Sequence, residues 1–269
     1  MNNKPIGVFD SGLGGLTAVK EIINVLPNED IIYFGDTARV PYGSRSSETI
    51  IKYAKQDISF LKSFDIKIIL AACGTVSSVA LPEIPCDKVR VVGVVEPAAI
   101  AAVKATKNKK IAVLGTKGTI DSKAYETEIK KLMPDAKITS IACPMFVHLV
   151  ENGYSEHEAT YLIAKEYLKQ VIDNGADTVI LGCTHYPMLK KVISKVLGEN
   201  VSLIDVGKAA ANYLKEILDT ENKLSELKKP SYEFYVSDAK GGFEDLAKLF
   251  LKRDLGALKS VDIDKIKED

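Results

Sequence analysis

Short apolar runs rich in β-branched residues alternate along most of the chain with longer stretches of helical periodicity. This alternation is typical of stacked β-α units and predicts an α/β fold with mostly parallel sheets. Because each pair of parallel strands needs a long crossover connection, few other folds accommodate the pattern. The predicted strands cover residues 5–9, 30–34, 67–72, 89–95, 110–115, 137–142, 177–182, 201–204 and 232–236.

The first eight predicted strands fall into two sets of four, on either side of the segment EPAAIAAVK. We therefore expect two similar, pseudo-symmetric α/β domains with an active site in the cleft between them. The tail after residue 207 is expected to return to the first domain. The first domain would then comprise residues 1–96 plus 208–269, and the second would comprise residues 97–207.

The helical stretches carry start and stop signals. Ser155 and Glu158 have the spacing of a capping box, which predicts a helix that begins near residue 156. Gly198 is expected to end a helix that begins near residue 188. The other predicted helices cover residues 16–26, 208–219 and 243–251.

Composition narrows the class of protein. Of the 269 residues, 46% are hydrophobic and 27% are charged, which is typical of globular proteins. Lys plus Arg and Asp plus Glu both number 36, so no net positive charge favours nucleic acid or an anionic membrane surface. No apolar stretch reaches the roughly 18 residues of a membrane span, and the N-terminal residues lack a signal-peptide pattern. Because four irregularly spaced cysteines do not suggest a disulfide framework, we expect a cytoplasmic protein.

Two of the cysteines occupy matching positions. Cys73 and Cys183 each follow the third strand of their set. Ligand-binding loops gather at the C-terminal ends of parallel strands, so facing domains would bring both thiols into one cleft. A helix N-terminus after each cysteine is expected to lower the thiol pKa toward neutrality. Cys86 and Cys143 have no such counterpart and are expected to be structural.

Metal binding is an alternative role for the same position, because Cys73, Cys183 and His185 could supply three ligands. No further cluster of ligands surrounds these residues in the sequence, and we do not favour a metal site. His148 and His157 are expected to have no functional role.

Other predicted strand ends also carry polar residues. In GVFDSGLGGLT, Asp10 and Ser11 follow the first strand, but Thr17 occupies the place of the third glycine of a dinucleotide-binding loop. This argues against a nucleotide-dependent oxidoreductase. The loops FGDTARVPYGSRS and LGTKGTIDS are expected to form further walls of the cleft, the latter through Thr116 and Thr119.

Together these motifs resemble those of glutamate racemases in the aspartate/glutamate racemase superfamily. FDSGLGGLT, GDTARVPYG, the segment from Cys73 to Thr75, CPMFVHLVENG and LGCTHYP appear in the family's order and spacing. The resemblance implies interconversion of L- and D-glutamate without a cofactor or metal, by two cysteines on opposite faces of the α-carbon. Cys73 would deprotonate D-glutamate, and Cys183 would deprotonate L-glutamate.

The same resemblance assigns the remaining site residues. Asp10 would assist Cys73, whereas Glu151 and His185 would assist Cys183. The family role further implies supply of D-glutamate for peptidoglycan, and a homodimer. The residues implied in catalysis are Cys73, Cys183, Asp10, Glu151 and His185. The residues implied in substrate binding are Asp10, Ser11, Tyr42, Gly43, Gly74, Thr75, Thr119, Thr184 and His185.

Gly74 departs from the family, which usually has Asn after the first cysteine. A side-chain contact to the substrate would then be missing, and a lost hydrogen bond is worth about 0.5–1.5 kcal/mol. We expect weaker binding or a shifted substrate preference. An aspartate or related racemase is one alternative, although the DTARVPYG loop argues against it. A non-catalytic amino-acid-binding protein is another, although retention of both cysteines and Asp10 argues against it.

Overall fold

The structure is a computed structural model that describes residues 2–85, 89–238, 243–255 and 257–266. Its strands lie close to the predicted positions. They are β1 (Ile6–Asp10), β2 (Ile31–Gly35), β3 (Ile68–Ala71), β4 (Val91–Gly93), β5 (Lys110–Gly115), β6 (Lys137–Ala142), β7 (Thr178–Leu181), β8 (Ser202–Asp205), β9 (Tyr232–Val236) and β10 (Leu258–Ser260).

The strands form two sheets. The first has the order β10-β9-β2-β1-β3-β4 and the second has the order β6-β5-β7-β8. Every pairing between these strands is parallel, which confirms the predicted α/β class with mostly parallel sheets. The tail strands β9 and β10 belong to the first sheet. The domain boundaries at residues 96 and 208 stay a prediction.

Helices connect the strands and cover the sheets. None of the helices in the described part of the chain is both long enough and apolar enough to cross a membrane. They are α1 (Leu16–Val25), α2 (Ser47–Lys62), α3 (Gly74–Val79), α4 (Val95–Ala105), α5 (Lys117–Asp121), α6 (Ala124–Leu132), α7 (Met145–Glu151), α8 (Glu158–Asn174), α9 (Lys190–Leu197), α10 (Val206–Thr220) and α11 (Phe243–Leu251).

The helix ends follow from local chemistry, with one correction. Gly198 ends α9 as predicted, with a positive φ of 86° that favours glycine. The capping-box prediction at Ser155 is wrong. The Ser155 hydroxyl is buried without a hydrogen-bond partner among the described residues, whereas Nδ1 of His157 accepts from the Ala159 N–H at 3.1 Å. The turn from Tyr154 to His157, closed by a backbone hydrogen bond of 3.0 Å, leaves Ser155 outside the capping position.

Two helices join the layers of the two sheets. Helix α10 follows β8 of the second sheet, and it packs against α1, which follows β1 of the first sheet. Gly207 lies so close to Ala18 that a Cβ at residue 207 would be 2.9 Å from the Ala18 Cα. The absence of a side chain at Gly207 therefore lets the two helices approach closely.

The central strands of the two sheets position the polar loops. Strands β1 and β3 lead at their C-terminal ends to Asp10 and Cys73, and strands β5 and β7 lead to Thr116 and Cys183. Because C-terminal ends of parallel strands share one edge of a sheet, each sheet contributes one cysteine from that edge.

Candidate active site

Both predicted cysteines line a single narrow cavity of about 40 Å³. The cavity lies where loops from the two sheets meet. This volume can hold a few water molecules. Its lining residues are Ser11, Val40, Pro41, Tyr42, Gly43, Cys73, Gly74, Thr75, Thr116, Val147, Gly182, Cys183, Thr184 and His185.

Cys73 is a buried thiol at the N-terminus of α3. Its Sγ donates to the Ser11 Oγ at 3.5 Å. Burial and the neighbouring Asp10 carboxyl raise the pKa of Cys73 to about 12, although the contacts with Ser11 and the Val76 N–H act in the opposite direction. The predicted lowering of this thiol pKa is therefore wrong, because desolvation of a thiolate outweighs the short helix. Cys73 is protonated at neutral pH.

Cys183 has a different set of partners. The His185 Nδ1 lies 3.8 Å from Cys183 Sγ, and the His185 Nε2 lies 3.0 Å from Glu151 Oε1. Burial alone would lower the pKa of His185, but the hydrogen bonds to Cys183 and Glu151 outweigh it and raise this pKa to about 10. Burial also opposes ionisation of Glu151, yet the hydrogen bond from His185 lowers the Glu151 pKa. A protonated His185 can therefore stabilise negative charge on Cys183.

Asp10 lies behind the cavity wall and is fully buried. Its Oδ2 accepts from the Gly12 N–H at 3.0 Å, and its Oδ1 accepts from the Thr184 hydroxyl at 3.4 Å. Burial raises the pKa of Asp10, opposed by the charge of His185 and by these donors. Asp10 therefore connects the loop after β1 with the loop that carries Cys183.

Three threonine hydroxyls form a chain across the other side of the cavity. The Thr75 Oγ1 lies 3.0 Å from Thr116 Oγ1, and Thr116 Oγ1 lies 3.0 Å from Thr119 Oγ1. Thr116 lines the cavity, whereas Thr119 lies behind it and is 1% exposed. The predicted binding residue Thr119 thus reaches the cavity only through Thr116.

Glycines allow the loops of the first sheet to approach those of the second sheet closely. A Cβ at Gly74 would lie 2.2 Å from the Gly182 carbonyl oxygen, and a Cβ at Gly43 would lie 2.9 Å from the Thr116 Cβ. Gly74 follows Cys73, and Gly182 precedes Cys183. The contact between Gly74 and Gly182 therefore helps to set how closely the two cysteine-bearing segments approach each other.

Most of the predicted site residues line this cavity, but three do not. Asp10, Glu151 and Thr119 lie in a second layer, in contact with lining residues. Val147 and Gly182 were not predicted. Val147 lies one helical turn before Glu151 in α7, so the i, i+4 spacing could have indicated that both face the same way.

The other two cysteines, Cys86 and Cys143, are expected to be structural, and metal binding is the alternative role for the thiol pair. Cys143 is a buried free cysteine outside the cavity lining, and burial raises its pKa. Cys86 lies outside the described residues. In the part of the chain that the structure describes, no group of three or more His, Cys, Asp or Glu side chains is arranged to hold a metal ion.

The arrangement is suited to proton transfer at one centre. One protonated thiol and one thiol beside an imidazolium line the same cavity, so one can donate a proton while the other accepts. Hydroxyls and backbone N–H groups around them can bind carboxylates.

The chain is similar in sequence and in structure to several glutamate racemases. The chain is 44% identical to the glutamate racemase of Geobacter metallireducens, over 98% of this chain and 99% of that protein. It is 41% identical to that of Neisseria meningitidis, over 97% of both chains. Its structure matches the glutamate racemase of Francisella tularensis in complex with D-glutamate, with a TM-score of 0.92 and 39% identity, over 98% of this chain and 99% of that one.

An aspartate racemase of Picrophilus torridus has the same fold, with a TM-score of 0.58 and 20% identity over 84% of this chain and 96% of that one. Residues 10–214 match the sequence profile of Asp/Glu/hydantoin racemases. On this match and on its identity to the glutamate racemases, the chain belongs to the Asp/Glu/hydantoin racemase family, as its motifs predicted.

Proposed function

We propose that this protein is a glutamate racemase that interconverts L- and D-glutamate without a cofactor. The observation that carries the proposal is the pair of thiols, Cys73 and Cys183, which line one cavity and have different hydrogen-bond partners. Inversion at an α-carbon needs a base on one face and an acid on the other, and two thiols can exchange these roles.

The two proton transfers follow from the charges around each thiol. A protonated His185 beside Cys183 would stabilise the thiolate that accepts the α-proton of L-glutamate. Cys73, whose pKa is raised to about 12, retains its proton and delivers it to the opposite face. The product is D-glutamate, and the negative charge then resides on Cys73, near the Ser11 hydroxyl and the Val76 N–H. The reverse reaction begins from that state.

Neighbouring groups assist each thiol. Glu151 holds His185 in the protonated form and orients it toward Cys183. Asp10 is the residue proposed to assist Cys73, whose pKa its charge helps to raise. The α-proton is a very weak acid, so hydrogen bonds to the developing carbanion must lower much of the barrier. The hydroxyls of Ser11 and Thr75, together with the Thr184 and Tyr42–Gly43 segments, are the proposed partners of the substrate carboxylates.

The loops around the narrow cavity are proposed to move during each catalytic cycle. The cavity of about 40 Å³ lies between loops of both sheets, and separation of these loops would admit substrate. Closure around the substrate excludes water and strengthens the electrostatic interactions at the reacting carbon.

Glutamate is the proposed substrate because the similar sequences at 41–45% identity are glutamate racemases. The likeness to the aspartate racemase, at 20% identity, concerns the fold alone. By the same resemblance, we propose that the protein works as a homodimer in a bacterial cytoplasm and supplies D-glutamate for peptidoglycan.

The test is incubation of the purified protein with enantiopure L-glutamate in D₂O without added cofactor. Optical rotation and α-deuterium incorporation are followed together. We expect rotation to fall to zero with α-deuteration of the product, and we expect D-aspartate to react more slowly than D-glutamate in parallel assays. A folded protein that exchanges no α-hydrogen would favour the amino-acid-binding alternative.

Replacing either thiol tests the two-base mechanism. We expect Cys73→Ser and Cys183→Ser each to lower racemisation by about 10²–10⁴-fold, since a serine hydroxyl is a far weaker base than a thiolate. Cys143→Ser, at a buried cysteine outside the cavity, is the matched control and should retain racemisation. Full activity in either cavity variant would contradict the mechanism.

A further inference from the structure

A cluster of buried polar side chains supports the Tyr42–Gly43 segment from behind the cavity. It consists of Asp36 and Arg39 in the loop after β2, Tyr42, and Asp57 on α2, and all but Arg39 are almost fully buried. The proposed mechanism uses neither the two carboxyl groups nor the guanidinium. Their hydrogen bonds nevertheless fix the position of Tyr42. The neighbouring Gly43 lies so close to Thr116 that a Cβ at residue 43 would be 2.9 Å from the Thr116 Cβ.

Counting protons around Tyr42 shows that one carboxyl group must be a donor. The Tyr42 hydroxyl is in hydrogen-bond contact with both Asp36 Oδ2 and Asp57 Oδ2, the second at 3.1 Å. A tyrosine hydroxyl has one proton to donate. The contact with Asp36 is the closer of the two, so the Tyr42 proton lies toward Asp36. The contact with Asp57 then requires a proton on Asp57.

The other contacts of Asp36 agree with this assignment. Asp36 Oδ2 accepts from Arg39 Nε at 2.6 Å, and Asp36 Oδ1 accepts from the Ser237 hydroxyl at 2.8 Å. Both Asp36 oxygens therefore face donors. Asp57 Oδ1 accepts from Arg39 Nη2 at 3.1 Å, which leaves Asp57 Oδ2 as the oxygen that can carry a proton toward Tyr42.

The charge balance favours the same protonation state. Two carboxyl groups and one guanidinium are buried together, and two ionised carboxylates would leave an unbalanced negative charge in a low-dielectric environment. The groups that act on Asp57 are Asp36, Arg39, Tyr42 and, from β1, Asp10. Burial and the charges of Asp36 and Asp10 raise the pKa of Asp57 well above its ordinary value of 3.8, and Arg39 and Tyr42 only partly oppose them.

The remaining contacts of Arg39 with α2 are with uncharged side chains. Its Nη1 donates to Gln56 Oε1 at 2.5 Å, and its guanidinium lies 4.1 Å from the centre of the Tyr53 ring. The Gln56 amide donates in turn to the Ile266 carbonyl at 3.4 Å. No further carboxylate appears in these contacts to pair with Arg39.

We propose that Asp57 is a neutral carboxylic acid that donates a hydrogen bond to Tyr42 and thereby positions the Tyr42–Gly43 wall of the active site. The positioning role rests on the proposed function, in which this wall binds substrate. The protonation state does not rest on it and is tested without substrate.

The first test compares Asp57→Asn with Asp36→Asn by thermal unfolding between pH 5 and pH 9. Because the folded-state pKa of Asp57 lies above the unfolded value, the folded protein retains a proton that the unfolded chain releases. This contribution to stability is fully present below about pH 4 and is lost as pH rises through the folded-state pKa. Asp57→Asn keeps a donor toward Tyr42 and an acceptor toward Arg39 but does not titrate. This variant should therefore lack the pH-dependent loss of stability, and its Tm at pH 8 should equal or exceed that of the wild type.

Asp36→Asn is the matched control, because it removes the charge that faces Arg39. We expect it to lower Tm at neutral pH. If Asp57→Asn lowered Tm at pH 8 as much as Asp36→Asn, Asp57 would be ionised and the proposal would be overturned.

Infrared spectra give a second readout: the carbonyl stretch of a protonated carboxylic acid should be present in the wild type and lost in Asp57→Asn. Its absence from the wild type at pH 7 would also overturn the proposal.

Kinetics test the positioning role. Asp57→Leu lacks a donor to Tyr42, and we expect KM for glutamate to rise about three- to tenfold with little change in kcat, the size of one lost hydrogen bond. Asp57→Asn should rescue KM to within about twofold of the wild type. An unchanged KM in folded Asp57→Leu would refute the positioning role. Should Asp57→Leu fail to fold, a threefold or larger KM increase in Asp57→Asn would refute it. Absence of any racemisation by the wild type would instead refute the proposed function and leave the two substrate-free tests valid.

Discussion

Among single residues, Gly74 has a structural effect besides the missing side-chain contact to the substrate. A side chain at this position would meet the Gly182 carbonyl, since a Cβ would lie 2.2 Å from that oxygen. The Gly182 carbonyl oxygen is a backbone atom that cannot rotate away, so Gly74→Ala should push the two cysteine segments apart. We expect kcat to fall about 100-fold, as misplacement of reacting groups by about 1 Å can cause. Steady-state kinetics with both enantiomers measure the effect.

Gly118→Ala is the control for this substitution. A Cβ at Gly118 would be 3.3 Å from the Gly43 carbonyl oxygen and 3.5 Å from a methyl group of Thr75, distances that small shifts can relieve. Its kcat should stay within about threefold of the wild type. A Gly74→Ala protein with wild-type kcat would show that the glycine contact does not set the reactive geometry.

Glu151 is a second residue whose role follows from its contacts. Because its carboxylate accepts from His185 at 3.0 Å, Glu151→Gln should lower the His185 pKa and weaken the positive charge that faces Cys183. We expect kcat to fall about 10- to 100-fold, and NMR titration of His185 to show the lower pKa. Glu158→Gln, at the start of α8, is the control. An unchanged His185 titration would contradict this account.

At the scale of elements, the contact between α1 and α10 joins the two sheets through Gly207. Its Cα faces Ala18 without room for a Cβ, so Gly207→Val should force the helices apart. We expect a loss of about 1–3 kcal/mol in the free energy of unfolding, as overpacking of cores causes. Denaturant unfolding measures it. Lys208→Val places the same side chain at the next, exposed position and should change stability by less than about 1 kcal/mol. Equal effects of the two substitutions would exclude helix packing as the cause.

At the scale of the whole molecule, stability should depend on pH through the bridge between Glu151, His185 and Cys183. The folded-state pKa of His185 is raised to about 10 from an ordinary value of 6.5, so the folded protein binds a proton that the unfolded chain releases. The stabilisation is fully present below pH 6.5 and is lost as pH rises toward 10. We expect Tm to fall across this window, by several degrees for a chain of this size.

His185→Gln is the variant that isolates this effect, because glutamine does not titrate. Its Tm should vary less between pH 6.5 and pH 10 than that of the wild type. His157→Gln, at the exposed start of α8, should keep the wild-type pH dependence. A wild-type Tm that stays constant over the window would refute the assignment of a protonated His185.

Local sequence patterns were sufficient to predict most strands and the meeting of the two cysteines. Parallel strands follow from β-α alternation, and their C-terminal loops must then share an edge. Strand β10 was missed because the three residues LKS carry too little apolar pattern. The capping box at Ser155 was misassigned because a preceding turn, closed by Tyr154, shifts the helix start.

Sequence patterns alone predicted the α/β class, the order of the strands along the chain, and which loops carry the thiols, hydroxyls and carboxylates. These properties depend on short-range periodicity and on residue types at strand ends. The state of each group follows from long-range packing instead: the raised pKa of Cys73, the bridge from Glu151 to Cys183, the contact of Gly74 with Gly182, and the protonation proposed for Asp57. Each of these depends on distances and desolvation between segments far apart in the chain, which no local pattern encodes.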